Sequence, residues 1–454
     1  MAHTLRHIEA SMTPARHTDA MRRTLELLLW AALAFIAAQR FTAPSVAGYI
    51  CLLPWAAAIV SFKSNVPRRN ALLLLALLWS TDNAVGMGLN QDGSYGATPG
   101  VVRYLVYVTV IVAIISNTAV RRSGLIGTSI AALFYLAITA FFADKGLSGF
   151  QMARDCLILA LAGLIFSFRS KNPIGINLEL LMFAMTGYLL SECVNFFIFG
   201  SVWYGEYMNY STTKYLIVLP SLIALLARRP LAALGLIALT VPVLVGYTHR
   251  TLFLAYIVTV LVIVTFFSIR QGEMKRIYFV GAIFLGGLIA AVADVQSALF
   301  NFKSLALFDI IQFYGTDALE MLDPVRYASS AIYFQLPLFE LLFGRGFGSG
   351  MADPTGALNF VRADQSAFSI EELSSGYFFS FHDVWVDIGL RFGLLPLGAF
   401  LIWFARQRPA DSREGVAIWF LVLIGIISAF YGTSGLVSLF FLLRVLESYR
   451  TDHA

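Results

Sequence analysis

The sequence predicts an all-α polytopic membrane protein, and three observations support this prediction. Apolar residues make up 58% of the 454 positions, charged residues make up only 13%, and the mean hydropathy is +0.75. A typical soluble domain carries about 25% charged residues, so this composition leaves too little polar surface for a water-soluble fold. The apolar residues also come in runs of about 15–20, the length that a helix needs to cross a bilayer core of about 30 Å.

The chain opens with a polar tail, residues 1–23, and the apolar run that follows has no signal-peptide cleavage motif. We therefore expect the first span to remain in the protein. The apolar runs predict about fourteen spans (12–14), eleven of them within 24–296 and three within 384–448. Their expected limits are 24–39, 44–62, 70–89, 101–119, 124–143, 154–168, 175–200, 213–227, 231–248, 251–269, 277–296, 384–405, 415–431 and 435–448.

Basic residues predict the orientation of these spans. With the N-terminus in the cytoplasm, most Lys and Arg fall in every second connection, such as Arg121 with Arg122 and Arg228 with Arg229. This alternation is what the positive-inside rule requires. The sequence therefore predicts that the N-terminal tail and the C-terminal tail, 449–454, are both cytoplasmic. A nucleic-acid interface is excluded, because no basic run carries interleaved aromatic residues.

One outer connection, residues 297–383, is too long to be a mere link between two spans. Within it, residues 325–343 predict an amphipathic helix that lies in the membrane interface and is broken near Pro337. A glycine-rich segment follows at 344–350. It is not a P-loop, because no Gly-Lys-Ser/Thr follows the glycines. Taken alone, it predicts a flexible turn.

A histidine closes this large loop. His382 stands directly before the twelfth span, and the predicted topology places it at the outer face. A histidine there can accept a proton from a substrate hydroxyl near neutral pH. The alternative interpretation is an interfacial histidine that is bonded to the backbone.

Arginines at the outer level form the second set of candidates. Arg250 lies in a connection of a few residues before the tenth span, where an arginine and a helix N-terminus together favour a pyrophosphate. The alternative is a snorkelling arginine that anchors a helix end. Other basic residues share this level, and they indicate an anionic substrate: Arg103, Arg154, Lys214, Arg326, Arg345 and Arg391. No HExxH motif, paired histidines or carboxylate cluster predicts a metal site, so no metal or other cofactor is expected.

Four local motifs resemble the O-antigen ligase and polymerase superfamily (the Wzy and WaaL type). The string YTHRT at 247–251 resembles the family's turn between two spans, although His249 replaces the usual serine. Arg326 and the helix that ends in LFGRGFG resemble the family's loop helix and Gly-x-Gly. His382 followed by Asp383 resembles a His-Asn pair, with aspartate in place of asparagine, and 205–220 resembles the entry to another span. The resemblance covers about residues 200–400.

The resemblance implies a metal-independent, inverting glycosyltransferase at the periplasmic face of a bacterial inner membrane. Its donor would be a glycan on a polyprenyl diphosphate such as undecaprenyl diphosphate. His382 would deprotonate or position the acceptor hydroxyl, and Arg250 would stabilise the departing diphosphate. The residues expected to bind the pyrophosphate or glycan are Arg326, Arg345, His249, Lys214, Arg391 and Asp383. We expect His382, Arg250 and Arg326 to converge on one outer-face site.

The favoured function is a polymerase of surface polysaccharide or exopolysaccharide that joins lipid-linked units. The close alternative is an O-antigen-type ligase that passes the glycan to lipid A–core or to a protein, since the donor chemistry is the same. A flippase or transporter for lipid-linked oligosaccharides is the third possibility, although such carriers usually show internal repeats. Expected partners are the lipid-linked donor, the glycan acceptor, membrane lipids, and chain-length regulator or export proteins, with no nucleic acid.

Overall fold

The computed structural model of the chain is predominantly helical, as the sequence predicts. It describes residues 14–37, 52–80, 105–113, 118–142, 146–170, 175–199, 217–227, 229–246, 324–354, 370–379, 384–407, 413–427 and 433–448, together with positions 256, 259–261, 263, 356, 358 and 381. Residues 105–113 are helical. The remaining helices are α1 (Pro14–Ala37), α2 (Leu53–Ser61), α3 (Val66–Ser80), α4 (Arg122–Phe142), α5 (Gly149–Ser167), α6 (Leu178–Phe199), α7 (Leu219–Leu226), α8 (Pro230–Gly246), α9 (Pro324–Phe334), α10 (Leu338–Phe343), α11 (Ile370–Ser375), α12 (Val384–Phe392), α13 (Leu394–Arg406), α14 (Arg413–Ile427) and α15 (Thr433–Ser448).

Four short strands complete the secondary structure. They form two antiparallel ribbons, β1 (Thr118–Val120) with β2 (Phe168–Ser170), and β3 (Met351–Ala352) with β4 (Tyr377–Phe378). By its contacts the chain divides into two compact units, one formed by Met1–Thr109 with Gly175–Ile289 and the other by Val110–Ile174 with Ala290–Ala454.

The first unit contains α1–α3 and α6–α8. Helix α6 packs along α1, and Glu179 near its start accepts a hydrogen bond from Arg229 at 2.8 Å and pairs with Arg23. The buried side chain of Asn70 on α3 donates to the carbonyl oxygen of Gly175, 2.9 Å away. These polar contacts join α1, α3 and the residue that precedes α8 to the start of α6.

The second unit is built on a hairpin of α4 and α5. The β1–β2 ribbon joins the residues that precede α4 to those that follow α5, with Thr118 opposite Ser170. At the far end of α4, Tyr135 and Phe142 pack with Phe347 and Phe392 in one apolar cluster. Helix α4 of the hairpin thus packs against the glycine-rich segment and the end of α12.

One described helix, Arg122–Phe142, is long and apolar enough to cross a membrane. A second candidate is the pair Trp385–Phe392 and Leu394–Arg406, whose axes differ by 115° across a short break. The sequence predicts one continuous span at 384–405, whereas the structure has this bend within it. The bend lies at Gly393, which has a φ of +80°, and a side chain there would meet the carbonyl oxygen of Leu342 at 2.2 Å. Only glycine can adopt this positive φ and also fit against the Leu342 carbonyl without strain.

The large loop contains short helices, and the predicted break near Pro337 is present between α9 and α10. The glycine-rich segment at 344–350 differs from the flexible turn that the sequence predicts, because all seven of its residues are buried. Its backbone is held by the neighbouring helices, so it forms part of the packed interior of the second unit.

Candidate functional site

The structure describes three of the eight residues that the sequence selects for the site. Arg326 lies on α9 and is half-buried, Arg345 lies in the glycine-rich segment, and Arg391 lies on α12. The other predicted site residues lie outside the described residues: His249, Arg250, Lys214, His382 and Asp383. The expected convergence of His382 with Arg250 and Arg326 therefore stays a prediction.

A buried ionic cluster in the second unit contains Arg391. This side chain is fully buried, and its Nε lies 3.0 Å from Oδ2 of Asp155 on α5. Its Nη1 donates to the backbone oxygen of Asp387 at 2.8 Å and to Oδ1 of the same residue at 3.2 Å. Its Nη2 donates to the carbonyl oxygen of Phe379. Protein groups thus engage all three guanidinium nitrogens, which favours an internal role over contact with substrate.

Arg154 forms an ion pair with Asp387, the second carboxylate of this cluster. Its Nη2 donates to Oδ2 of Asp387 at 3.1 Å, and its Nε lies 4.0 Å from Oδ1 of Asp155. Two arginines thus face two aspartates, so the formal charges of the four side chains cancel when both carboxylates are ionised. Buried charges are costly unless they are paired, and each of these four side chains lies within 4.0 Å of an opposite charge. We call Arg154, Asp155, Asp387 and Arg391 the ionic cluster below.

The ionic cluster binds the backbone of two loop segments. Oδ2 of Asp155 accepts a hydrogen bond from the amide of Gly348, 2.8 Å away. Oδ1 of Asp387 accepts one from the amide of Phe381, also at 2.8 Å. Phe381 is the position directly before His382 in the chain and is itself buried. The cluster therefore fixes both the glycine-rich segment and the residues that lead to His382.

Arg345 forms a second buried pair. Its Nε donates to Oε2 of Glu340 at 2.6 Å, its Nη1 donates to the carbonyl oxygen of Gly350 at 2.9 Å, and its guanidinium lies over the ring of Phe142, 5.8 Å from the centroid. The hydroxyl of Tyr377 donates to the same carbonyl oxygen at 2.9 Å. Burial raises the pKa of Tyr377 despite the opposing charge of Arg345, so the hydroxyl remains a donor at neutral pH.

The glycine-rich segment also contacts α4 and α12 directly. The amide of Phe347 donates to Oγ1 of Thr139 at 2.7 Å, which in turn donates to the carbonyl oxygen of Tyr135 at 2.6 Å. Gly344 has a φ of +78°, and a Cβ there would lie 2.3 Å from the carbonyl oxygen of Arg391. Backbone thus packs against backbone at this point, which positions the segment beside the ionic cluster.

An apolar cavity of about 1130 Å³ lies between α4, α5, α12, α13 and α15, all within the second unit. Small, aliphatic and aromatic residues line it, among them Gly127, Phe134, Ile158, Leu395 and Phe440. Its size and apolar walls suit a hydrocarbon group rather than a sugar or a charged group.

Sequence reasoning missed two members of the ionic cluster, Asp155 and Asp387, and named Arg154 only as one of several outer-level basic residues. Two signals pointed to them. Asp155 is an acidic residue at the edge of an apolar run, and Asp387 precedes Arg391 by four positions, which places both on one face of a helix. Among the described residues, no group of three or more His, Cys, Asp or Glu could hold a metal ion.

Comparison with known proteins gives no further assignment, since neither protein-family models, nor curated proteins, nor solved structures produce a match. The resemblance to the ligase and polymerase superfamily therefore rests on the motifs alone. The motifs and the geometry of the second unit are the remaining indications of function.

Proposed function

We propose that this protein is a membrane glycosyltransferase that extends a surface polysaccharide or exopolysaccharide, with a polyprenyl-diphosphate-linked glycan as donor. The proposal includes about fourteen membrane spans and a reaction centre at the outer face of a bacterial inner membrane. The close alternative is a ligase that transfers the same glycan to lipid A–core or to a protein.

The observation that supports the proposal most directly is the anchoring of the chain just before His382. Three described positions, Tyr377, Phe378 and Phe379, lie in or directly after β4, which pairs with β3 at the end of the glycine-rich segment. Asp387 then binds the amide of Phe381. A general base must be held within about 0.5 Å of its working position, and the bonds at Phe379 and Phe381 hold the backbone that precedes this residue in the chain.

The apolar cavity supports a lipid-linked donor. A polyprenyl chain requires apolar surroundings while its diphosphate requires cations at the water interface. The cavity can receive part of an isoprenoid chain. Cations for the diphosphate would come from the outer-level arginines, and we assign Arg250 and Arg326 to this role. We assign Arg345 and Arg391 supporting roles, because their donors are bound to protein groups.

The reaction then needs one proton transfer and one displacement. His382 accepts the proton of the acceptor hydroxyl, and the oxygen attacks the anomeric carbon from the face opposite the diphosphate. The bond from that carbon to the diphosphate oxygen breaks, and the lipid diphosphate leaves with the electron pair. Negative charge grows on the leaving group, so a fixed arginine stabilises the transition state more than the ground state. A base in this role contributes about 10²–10⁴-fold in rate.

The test is a transfer reaction with purified protein in micelles and a lipid-diphosphate-linked oligosaccharide as the sole substrate. A polymerase uses one unit as donor and another as acceptor, so a gel should show a ladder of longer glycans. A ligase should give no ladder until lipid A–core or an acceptor protein is added. Protein that transfers glycan under neither condition, but moves the lipid-linked sugar across vesicle membranes, would be a carrier and would refute the proposal.

A further inference from the structure

The residues directly before His382 are held by side chains rather than by regular secondary structure. The amide of Phe379 donates to Oε1 of Glu372 on α11 at 2.8 Å, and its carbonyl oxygen accepts from Arg391. The amide of Phe381 donates to Oδ1 of Asp387. Three backbone groups within three residues are thus bound by three charged side chains. Backbone groups in a buried, irregular segment need such partners, and charged partners bind them most strongly.

Two of the three anchors are connected to each other. Asp387 and Arg391 share α12 and are bonded to each other, while Asp155 on α5 contacts Arg391 and the amide of Gly348. The β3–β4 ribbon forms a second connection between the same two loop segments, with Met351 opposite Phe378. The glycine-rich segment and Phe381 are therefore bound by side chains of the same ionic cluster.

We propose that Arg391, Asp387 and Glu372 are positioning residues for the base that we assign to His382, because they hold the backbone at Phe379 and Phe381, and that Asp155 holds Arg391 in place. This inference rests on the proposed function, because it assigns a role in a reaction that His382 performs. It also replaces the expectation from the sequence that Arg391 binds substrate. None of the four side chains has to touch the substrate for the arrangement to work.

The kinetic test compares Arg391→Lys with Arg406→Lys, a matched change at an exposed position at the end of α13. Lysine keeps the positive charge, but its single ammonium cannot bind Asp155, Asp387 and Phe379 with the geometry of the guanidinium fork. A displacement of the base by about 1 Å costs on the order of 10²-fold in rate. We expect kcat to fall by about 10–100-fold in Arg391→Lys, with KM for the lipid-linked donor unchanged within about twofold, and Arg406→Lys to match the wild type.

A second variant keeps the test valid if Arg391→Lys does not fold. Glu372→Ala removes the anchor at the amide of Phe379, and Glu372 is only partly buried. We expect the same pattern, a lower kcat with a nearly constant KM. A rise in KM with a constant kcat would show that these residues bind substrate, and a wild-type kcat in either folded variant would also overturn the inference.

A spectroscopic measurement separates this inference from the proposed function. A nitroxide label is placed at His382→Cys, after the three native cysteines, Cys51, Cys156 and Cys193, are replaced by alanine. We expect a broad, immobile spectrum that becomes mobile when Arg391→Lys or Glu372→Ala is added, and that stays unchanged with Arg406→Lys. An unchanged spectrum in the first two would overturn the inference even in a protein that transfers glycan. A wild type without transfer would refute the proposed function instead.

Discussion

Replacement of Arg391 by methionine should destabilise the second unit strongly, because the change unbalances the ionic cluster. Methionine fills much of the aliphatic volume, so the loss is mainly one of charge and hydrogen bonds. Asp155 and Asp387 would then share Arg154 alone, which lies 4.0 Å from the first and 3.1 Å from the second. Removal of one partner from a buried ion pair costs about 3–5 kcal/mol.

This cost can be read as a fall in apparent melting temperature, from the monodisperse fraction that remains in micelles after heating. At about 2–4 °C per kcal/mol for units of 150–250 residues, we expect a fall of about 6–20 °C. Arg406→Met is the control, because Arg406 is exposed and such changes stay within about 0.5 kcal/mol.

A second variant tests the cause of this loss. Asp155→Asn in the Arg391→Met background restores the balance, since Arg154 then faces only Asp387. The double variant should be more stable than the sum of the two single effects by about 0.5–3 kcal/mol, the usual range for residues in contact. Strictly additive effects, or a melting temperature for Arg391→Met equal to that of the control, would refute the reasoning from charge balance.

Three further changes test the packing of the glycine-rich segment, each by the same heating assay. Gly344→Ala should lower stability by at least about 1–3 kcal/mol, because its φ of 78° and ψ of −175° form a backbone conformation that only glycine adopts readily, whereas Gly398→Ala, in open space within α13, should be neutral or stabilising. Thr139→Val should cost about 1–3 kcal/mol, since it leaves the buried amide of Phe347 without an acceptor, and Thr139→Ser should retain most of that stability. Tyr377→Phe should cost only about 0.5–1.5 kcal/mol, because an arginine also donates to the carbonyl oxygen that the hydroxyl binds.

The sequence predicts the helical character of the chain and the position of one break, because these follow from local patterns. Apolar runs give the helices, and Pro337 gives the gap between α9 and α10. The bend at Gly393 is not predictable in the same way, since a single glycine is tolerated within many membrane helices. It arises from the close approach of Leu342, which is a tertiary contact.

In the functional site, too, the sequence reveals local patterns but not tertiary contacts. The sequence places Arg345 and Arg391 among the outer-level cations and predicts that they bind substrate, but nothing local reveals the protein groups that they contact in the structure. Arg391 meets Asp155 only once α5 and α12 pack together. The pairing of Asp387 with Arg391 can be predicted from the sequence, since a spacing of four residues on a helix brings opposite charges together.

The measurement that tests the central claim most directly is the transfer reaction with wild type, His382→Ala and Arg250→Ala side by side. We predict a ladder of lengthened glycans for the wild type and its loss in both variants, with the variants still monodisperse and with unchanged melting temperatures. Arg406→Met should retain the ladder. A full ladder from folded His382→Ala protein would contradict the assignment of this histidine as the base, and no transfer by the wild type to any glycan, lipid A–core or protein acceptor would contradict the account as a whole.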